Sequence, residues 1–381
     1  MTAKRRAWLI VALGICVTLV LGMACRGPTP TEKVKPEVKP TETAQPTEEE
    51  GKGVVVPHYG GAVGEVLRER YDSFEQDTGI EVNDVIMVTG EELSKMSAMQ
   101  STGRWQWDLV SMEPFYIAKP EFENAWADID YSLWDEADLE AMPEEHRQED
   151  RVRNSLDALR FCWNPDEFEE GPEGWVDFYD TERFPGKRAV TDFANYLLEG
   201  ALLADGVAPE DLYPLDYDRA LAKLSTIADD LVFFVGGPPG VEMLVNGEVS
   251  LVFTWSPAIF RAIDAGANIT WGLGQCPAYG GFEVIPKNSP NPENAQKLMA
   301  YLNRADVVWK YIVATGGSPT NADAFQYIED ETALSRMVTT SENISGIYYP
   351  DYGWYAETDP DTGLSNEEVA REKLEEWKLT H

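Results

Sequence analysis

Residues 54–88 read VVVPHYGGAVGEVLRERYDSFEQDTGIEVNDVIMV. Val54, Val55 and Val56 form a short β-branched run that ends at Pro57 and passes into His58-Tyr59-Gly60-Gly61. Beyond the glycines, Val63, Val66, Leu67, Arg70, Tyr71 and Phe74 fall at helical spacing. Thr78-Gly79 stops that helix ahead of a strand from Ile80 to Val88. Strand, glycine-containing turn, helix, strand is a βαβ opening. Asp108 to Ser111 reads as a third strand, reached after a helix around Glu91 to Thr102. Parallel strands joined by helices carry their binding loops beyond the strand C-terminal ends. Tyr59, Gly60, Gly61, Met112 and Glu113 are therefore expected on a ligand-facing rim.

A second alternation follows. Ala158 to Trp163 is an apolar strand that ends at Asn164-Pro165. Lys187 to Thr191 is another, with Asp192 placed to cap a helix from Phe193 to Leu203. Val249 to Trp255 follows as a strand, Ala258 to Ala265 as a helix and Ile269 to Leu273 as a strand. Phe282 to Pro286 then leads to Asn291-Pro292, an N-cap with proline at the first helical position, and to a helix reaching Asn303. No internal repeat of fixed period interrupts this order.

Ahead of the βαβ unit lie segments of different character. Lys4, Arg5 and Arg6 precede an uncharged stretch from Ala7 to Ala24, the charge order of an export signal. The stretch is also long enough for a short membrane-spanning helix, so a retained signal anchor is the alternative. Small Ala24 directly before Cys25 favours cleavage and lipidation at Cys25. Residues 26–52 hold five Pro, five Thr and six Glu against two strongly apolar residues, Val34 and Val38. Such a segment buries too little surface to fold and reads as a spacer, spanning about 30 Å as a flexible coil or up to about 80 Å as polyproline II.

From Gly53 onward the chain is long enough for a large core, and at this size one core tends to divide in two. The formal charge is −36, and it becomes more negative once Lys4, Arg5 and Arg6 leave with a signal. That excludes nucleic acid and anionic lipid surfaces as natural partners. Glu121 to Asp150 carries 12 carboxylates and one Arg, and is expected to form an outward, helix-like face. Cys162 and Cys276 lack a CxxC partner or a neighbouring His, which argues against zinc. They are either two buried thiols or, in an oxidising compartment, a disulfide.

Enzyme motifs are missing. His58, His146 and His381 are the only histidines, and none pairs at metal-ligand spacing. Gly186-Lys187 lacks the upstream glycine of a P-loop, Gly272-Leu273-Gly274 lacks the third glycine of a dinucleotide fingerprint, and no GxSxG occurs. The reading is a protein without cofactor or metal that is not an enzyme. A pair of glycosidase carboxylates stays open as an alternative among 67 acids.

The stretches YGGAVGEVLRERYDSFEQDTGIEV (59–82), WDLVSMEPF (107–115), FPGKRAVTDFANYLLEGALLADGVAPEDLYPLDYDRALAKL (184–224), LVNGEVSLVFTWSPAIFRAIDAGANITW (244–271), GGFEVIPKNSPNPENAQKLMAYLN (280–303) and ATGGSPTN (314–321) stand in that order. In order, they resemble the spermidine/putrescine-type extracellular solute-binding proteins of ABC importers. The resemblance implies an α/β fold, the two-lobed type II periplasmic-binding-protein fold with hinge strands between the lobes. It implies residues 1–24 as signal peptide, 25–52 as tether, 53–157 with 277–312 as one lobe, 158–276 as the other, and 313–381 as C-terminal helices completing both. Contacts on both lobes would exist only in a closed state, so a small solute would shift the population toward closure, the signal that permease subunits read. The protein would work as a monomer outside the cytoplasm, held by lipid to the outer face of the cell membrane. A surface receptor on the same fold is the alternative.

Polyamine-binding members resemble an aromatic box with acidic anchors, in which rings attract an ammonium and carboxylates fix it. Trp255 matches a box aromatic, and Tyr59 and Phe115 are placed to add rings from the first lobe. The family's acids fall on Gly281, Phe193 and Tyr196, which implies an aromatic cleft with few fixed charges and Glu113 as a substitute anchor. Asn195, Tyr279 and Gly60 complete the expected site. Tyr348, Tyr349, Tyr352, Trp354 and Tyr355 read as packing of the C-terminal segment.

Overall fold

The computed structural model describes residues 53–58, 60–87 and 91–381. Cys25, the export signal, the spacer and Tyr59 lie outside them. Strand β1 (Val54–His58) pairs in parallel with β2 (Val82–Ile86), Val54 opposite Val82 and His58 opposite Ile86, with helix α1 (Gly61–Thr78) between them in the chain. The helix ends because Gly79 turns left-handed at φ 73° and returns its N–H to the Glu75 carbonyl, a conformation glycine adopts without steric cost. Arg68 clamps α1 onto β2, donating to the Val82 carbonyl and to Asp84 at 2.8 and 3.0 Å.

The third strand departs from expectation. β3 (Val110–Met112) runs antiparallel to β10 (Phe282–Val284) instead of extending a parallel ladder. Asp108, fully buried, still donates its N–H to the Val55 carbonyl of β1 at 2.8 Å, and its carboxylate acts as a junction. It accepts the Val55 N–H at 2.7 Å, the Ser289 hydroxyl at 2.5 Å and the Asn291 N–H at 2.8 Å. Asn291 does precede a helix with Pro at its start, Pro292–Leu302, but its side chain donates to Asp108 and does not cap.

A larger sheet holds β4 (Ser155–Trp163), β5 (Arg188–Thr191), β6 (Leu231–Phe234), β7 (Leu251–Trp255), β8 (Thr270–Gly272), β9 (Cys276–Tyr279), β11 (Ser318–Pro319) and β12 (Ile347–Tyr348). Its main path runs β12-β9-β4-β7-β5-β6. β5 is parallel to both β6 and β7, as crossover helices require, while β4 is antiparallel to β7, β8, β9 and β11. The helix Ala194–Ala204 is buried on every side, its mostly apolar sequence interrupted by Asn195 and Glu199. Asp192 does not cap it: its carboxylate pairs with Lys378 of the C-terminal helix Asn366–Lys378.

Two segments cross side by side between the sheets. Val152 and Glu283 exchange backbone hydrogen bonds at 3.0 and 2.7 Å, and Asp157 lies opposite Tyr279. Gly280 is required here for close approach and not for backbone freedom: a Cβ would stand 2.4 Å from the Ser155 carbonyl oxygen. These are the hinge strands of a two-lobed α/β fold.

Glu121 to Asp150 is not a helical face. It contains short 3-10 turns and one helix, Glu136–Ala141, and buries Trp126, Trp134 and Asp138. Asp138 is sequestered because it accepts the Ala305 N–H at 2.9 Å and the Asn321 amide at 2.7 Å. Cys162 and Cys276 are free and buried. They pack into different cores, Cys162 with Ala189 and Val252, Cys276 with Phe161 and Phe253.

Candidate ligand-binding site

Glu113 follows β3 and is the extended residue before a proline-led helical turn, Pro114–Ile117. The proline fixes the turn and leaves the carboxylate projecting from the strand end. Its side chain remains open to solvent, yet burial by the surrounding protein raises its pKa, opposed by the charge of Arg153. A group accessible to water but enclosed on most sides lies in a cleft. Several tyrosines lie near it. Burial pushes the hydroxyls of Tyr196, Tyr279, Tyr311 and Tyr352 up, and the Glu113 charge adds to each.

Arg153, just before β4, is 7% exposed, and among the described residues its guanidinium makes no hydrogen bond or ion pair; its Nε is an orphan. The group sits 4.1 Å from the Phe282 ring and 6.0 Å from the Tyr349 ring. Burial lowers its pKa, while Tyr352, Tyr349 and Glu113 favour its charge; a guanidinium stays protonated at neutral pH. His146 packs edge-on to Tyr349. Burial, then Arg153, pushes its pKa down to about 4, so this imidazole is neutral and offers Arg153 no competing charge. A buried cation without a partner is costly. Glu113 and Arg153 thus share a neighbourhood as opposite charges that do not bond each other.

An aromatic wall rises at the ends of β5 and β7. Trp255, half-buried at the end of β7, meets Phe193 edge-to-face at 5.5 Å; Phe193 stacks on Tyr196 at 5.8 Å; and the Tyr196 hydroxyl lies 3.5 Å from that of Tyr352. Phe193 is 43% exposed, a large apolar ring left facing outward from the wall. Behind it Tyr279 donates to buried Asp157 at 3.1 Å, and Asp157 is paired with Arg160.

The sequence-derived candidates therefore separate. Phe193, Tyr196 and Trp255 form one wall, and Glu113 and Tyr279 lie within electrostatic reach of Tyr196 or of each other. Gly60 begins α1 with φ 71°, its N–H held by the His58 ring at 2.9 Å. Gly281 packs against Ser111 and Met112. Phe115 turns to a groove beside Tyr355 and Ala356, and Asn195 to one beside the C-terminal helix with Arg371 and Leu374. The structure adds Arg153, Asp157 and Tyr352. Arg153 carried no local signal, and Tyr352 was legible only as C-terminal packing.

Comparison with known proteins now bears on this geometry. A γ-aminobutyric acid-binding protein of Pseudomonas aeruginosa is 28% identical over 267 residues, 67% of this chain and 73% of its own. The spermidine/putrescine-binding periplasmic protein of Escherichia coli is 27% identical over 282 residues, 70% of this chain and 78% of its own. A solved ABC transporter protein from Rhodopseudomonas palustris is 28% identical, with a TM-score of 0.66 over 85% of this chain and 99% of that one. The Agrobacterium tumefaciens binding protein AttC, solved open and unliganded, shares the fold at 24% identity and TM-score 0.74, over 86% of this chain and all of its own. Residues 69–336 match the family described as bacterial extracellular solute-binding protein, and the chain belongs to that family.

Proposed function

We propose that the cleft captures a small zwitterion, an ω-amino acid being the simplest, and that the protein delivers it to the permease subunits of an ABC importer. The observation that carries the reading is Arg153, a buried residue whose guanidinium has no hydrogen-bond or ion-pair partner among the described residues, near the solvent-open carboxylate of Glu113. A carboxylate on Arg153 would supply charge-assisted hydrogen bonds. An ammonium would meet Glu113 and the rings of Tyr196, Phe193 and Trp255. A polyamine would place a second positive charge near Arg153; two unit charges about 5 Å apart repel by roughly 3 kcal/mol at an effective dielectric of 20. The relative named for γ-aminobutyric acid supports the zwitterion reading, and those named for spermidine and putrescine support the amine half of it.

In this reading the lobes are residues 53–157 with 277–312 and residues 158–276, completed by 313–381. The protein binds and carries but does not transform its ligand. It is tethered outside the cell membrane by lipid on Cys25, acts as a monomer, and reaches the importer on its spacer. The test is calorimetric titration of purified residues 53–381 with 4-aminobutanoate, 5-aminopentanoate, putrescine and butanoate. Binding of the amino acids with no binding of butanoate and weaker binding of putrescine is expected. Putrescine bound more tightly than either amino acid would sink the proposal. Acyl groups on Cys25, sought by mass spectrometry of the full-length protein, test the tether.

A further inference from the structure

Tyr348, Tyr349, Tyr352 and Tyr355 stand on one short stretch of chain, and the fold divides them between two faces. Tyr348 and Tyr355 turn inward and donate their hydroxyls to Glu199, on the buried helix Ala194–Ala204, at 2.5 and 2.7 Å. Tyr213 donates a third hydroxyl to the same carboxylate, and its oxygen accepts the Asp351 N–H at 3.0 Å. Glu199 thus holds the stretch at residues 348, 351 and 355. The other two tyrosines face the cleft. The Tyr349 ring lies 6.0 Å from the Arg153 guanidinium, and the Tyr352 hydroxyl 3.5 Å from that of Tyr196. Tyr196 belongs to the same helix as Glu199, so one carboxylate joins the aromatic wall to the segment that meets Arg153.

Three donors suit an ionised carboxylate, which only accepts. Tyr213 and Tyr355 share Oε1, while Tyr348 has Oε2 to itself. A proton on Oε2 would reverse the Tyr348 bond and leave a buried phenolic hydrogen in need of another acceptor. Burial raises the Glu199 pKa to about 7 against the three hydroxyls. Tyr196 and Tyr352 also feel its charge, with Glu113 acting on both from the cleft. Burial pushes all five phenols up, so none ionises near neutrality. The helices Trp175–Phe178, Tyr217–Leu224 and Asn366–Lys378 pack on the same helix, with Asp177 paired to Arg183, Arg219 to Asp205 and Lys378 to Asp192. Ionisation costs stability by desolvation yet fixes the hydroxyls more firmly, since hydrogen bonds to a charged acceptor are the stronger ones.

We infer that Glu199 is a positioning residue for the cleft: its ionised carboxylate anchors residues 348–355 so that Tyr349 and Tyr352 stand against Arg153 and Tyr196, and solute affinity rises as the acid loses its proton. This rests on the cleft reading and adds regulation of the same site by pH.

Calorimetric titration of 4-aminobutanoate between about pH 5.5 and 8 into the wild-type chain, Glu199→Gln and Tyr348→Phe tests it. Wild-type affinity is expected to rise about three- to tenfold with pH, the worth of one hydrogen bond. Glutamine copies the protonated acid, so Glu199→Gln should keep the low-pH affinity and lose that rise; any slope left belongs to Glu113. Tyr348→Phe removes a hydroxyl that favours the ionised form and should move the midpoint to higher pH. Near-ultraviolet circular dichroism reads the anchor without solute, because the Trp354 ring lies 5.3 and 5.1 Å from those of Tyr213 and Tyr355. A transition near pH 7 is expected in the unliganded wild type, absent from Glu199→Gln and at higher pH in Tyr348→Phe. Should Glu199→Gln fail to fold, Tyr348→Phe carries the test by itself. The full wild-type slope in Glu199→Gln, or an unmoved midpoint in Tyr348→Phe, overturns the inference. Failure of 4-aminobutanoate to bind the wild type overturns the cleft reading, and the dichroic transition then decides the anchor alone.

Discussion

Replacing Arg153 with Met should separate stability from binding. In the unliganded protein Arg153 is 7% exposed as a residue, its Nε is buried without a partner, and its guanidinium has no hydrogen bond or ion pair among the described residues. Its compensation is ring contact, to Phe282 at 4.1 Å and to Tyr349 at 6.0 Å. Such contacts contribute about 0.5–2 kcal/mol, against a desolvation penalty of several kcal/mol for a buried ion. Met is of similar length, fills the same space and carries no charge. Arg153→Met should therefore leave the unliganded protein as stable as before, or more stable by about 1–3 kcal/mol. The ligand's carboxylate loses its partner. Truncating one member of a buried, hydrogen-bonded charge pair costs about 2–5 kcal/mol, which is roughly a 30- to 5,000-fold loss of affinity. Urea unfolding without ligand and calorimetry with 4-aminobutanoate measure the two quantities. A variant destabilised by about 3 kcal/mol or more that keeps its affinity would show that Arg153 serves the fold and refute the reasoning.

Three further outcomes follow from other parts of the molecule. Glu199, on the buried helix, accepts the hydroxyls of Tyr213, Tyr348 and Tyr355, and burial raises its pKa to about 7 despite those bonds. An acid whose folded pKa exceeds its unfolded value near 4.5 binds its proton more tightly when folded, so its stabilising contribution is complete below pH 4.5 and falls as pH rises toward 7, by roughly 3 kcal/mol. Glu199→Gln should flatten the urea midpoint between pH 5 and 7.5; an unchanged slope would remove Glu199 as its source. Trp255→Ala removes the ring that edges Phe193 and should weaken 4-aminobutanoate by about tenfold with little change in the circular dichroism spectrum, and an unchanged affinity would move the site elsewhere. Gly280→Ala forces a Cβ to 2.4 Å from the Ser155 carbonyl and should destabilise by about 2 kcal/mol or more; a neutral result in denaturant unfolding would mean the crossing strands are not tightly apposed.

Much of the fold was legible in order along the chain. Valine runs, the helical spacing of Val63 to Phe74 and the stop at Gly79 set β1, α1 and β2, because each depends on neighbours a few residues away. The error at β3 arose from distant partners: Val110–Met112 pairs with Phe282–Val284, and the Asp108 carboxylate binds Ser289 and Asn291, all about 170–180 residues on. Asp192 failed as a cap for the same kind of reason, since Lys378 claims its carboxylate from the far end of the chain.

The site divides along the same line. Sequence by itself determined the family and the two-lobed α/β architecture, because the order of strands, helices and turn residues survives without knowledge of their partners. It also identified Glu113 as a residue at a strand end. Only the tertiary structure decided which charges remain unspent. Whether Arg153 is neutralised depends on every residue packed around it: Phe282 and Tyr349 meet its faces, His146 is held neutral, and Glu113 stands near without bonding it. Arg70 and Glu283 likewise become neighbouring opposite charges only when Asn154, Asn303 and Leu302 are brought around them. Periodicity records the face on which a residue lies, whereas the electrostatic balance of a cleft is a sum over segments that meet only after folding.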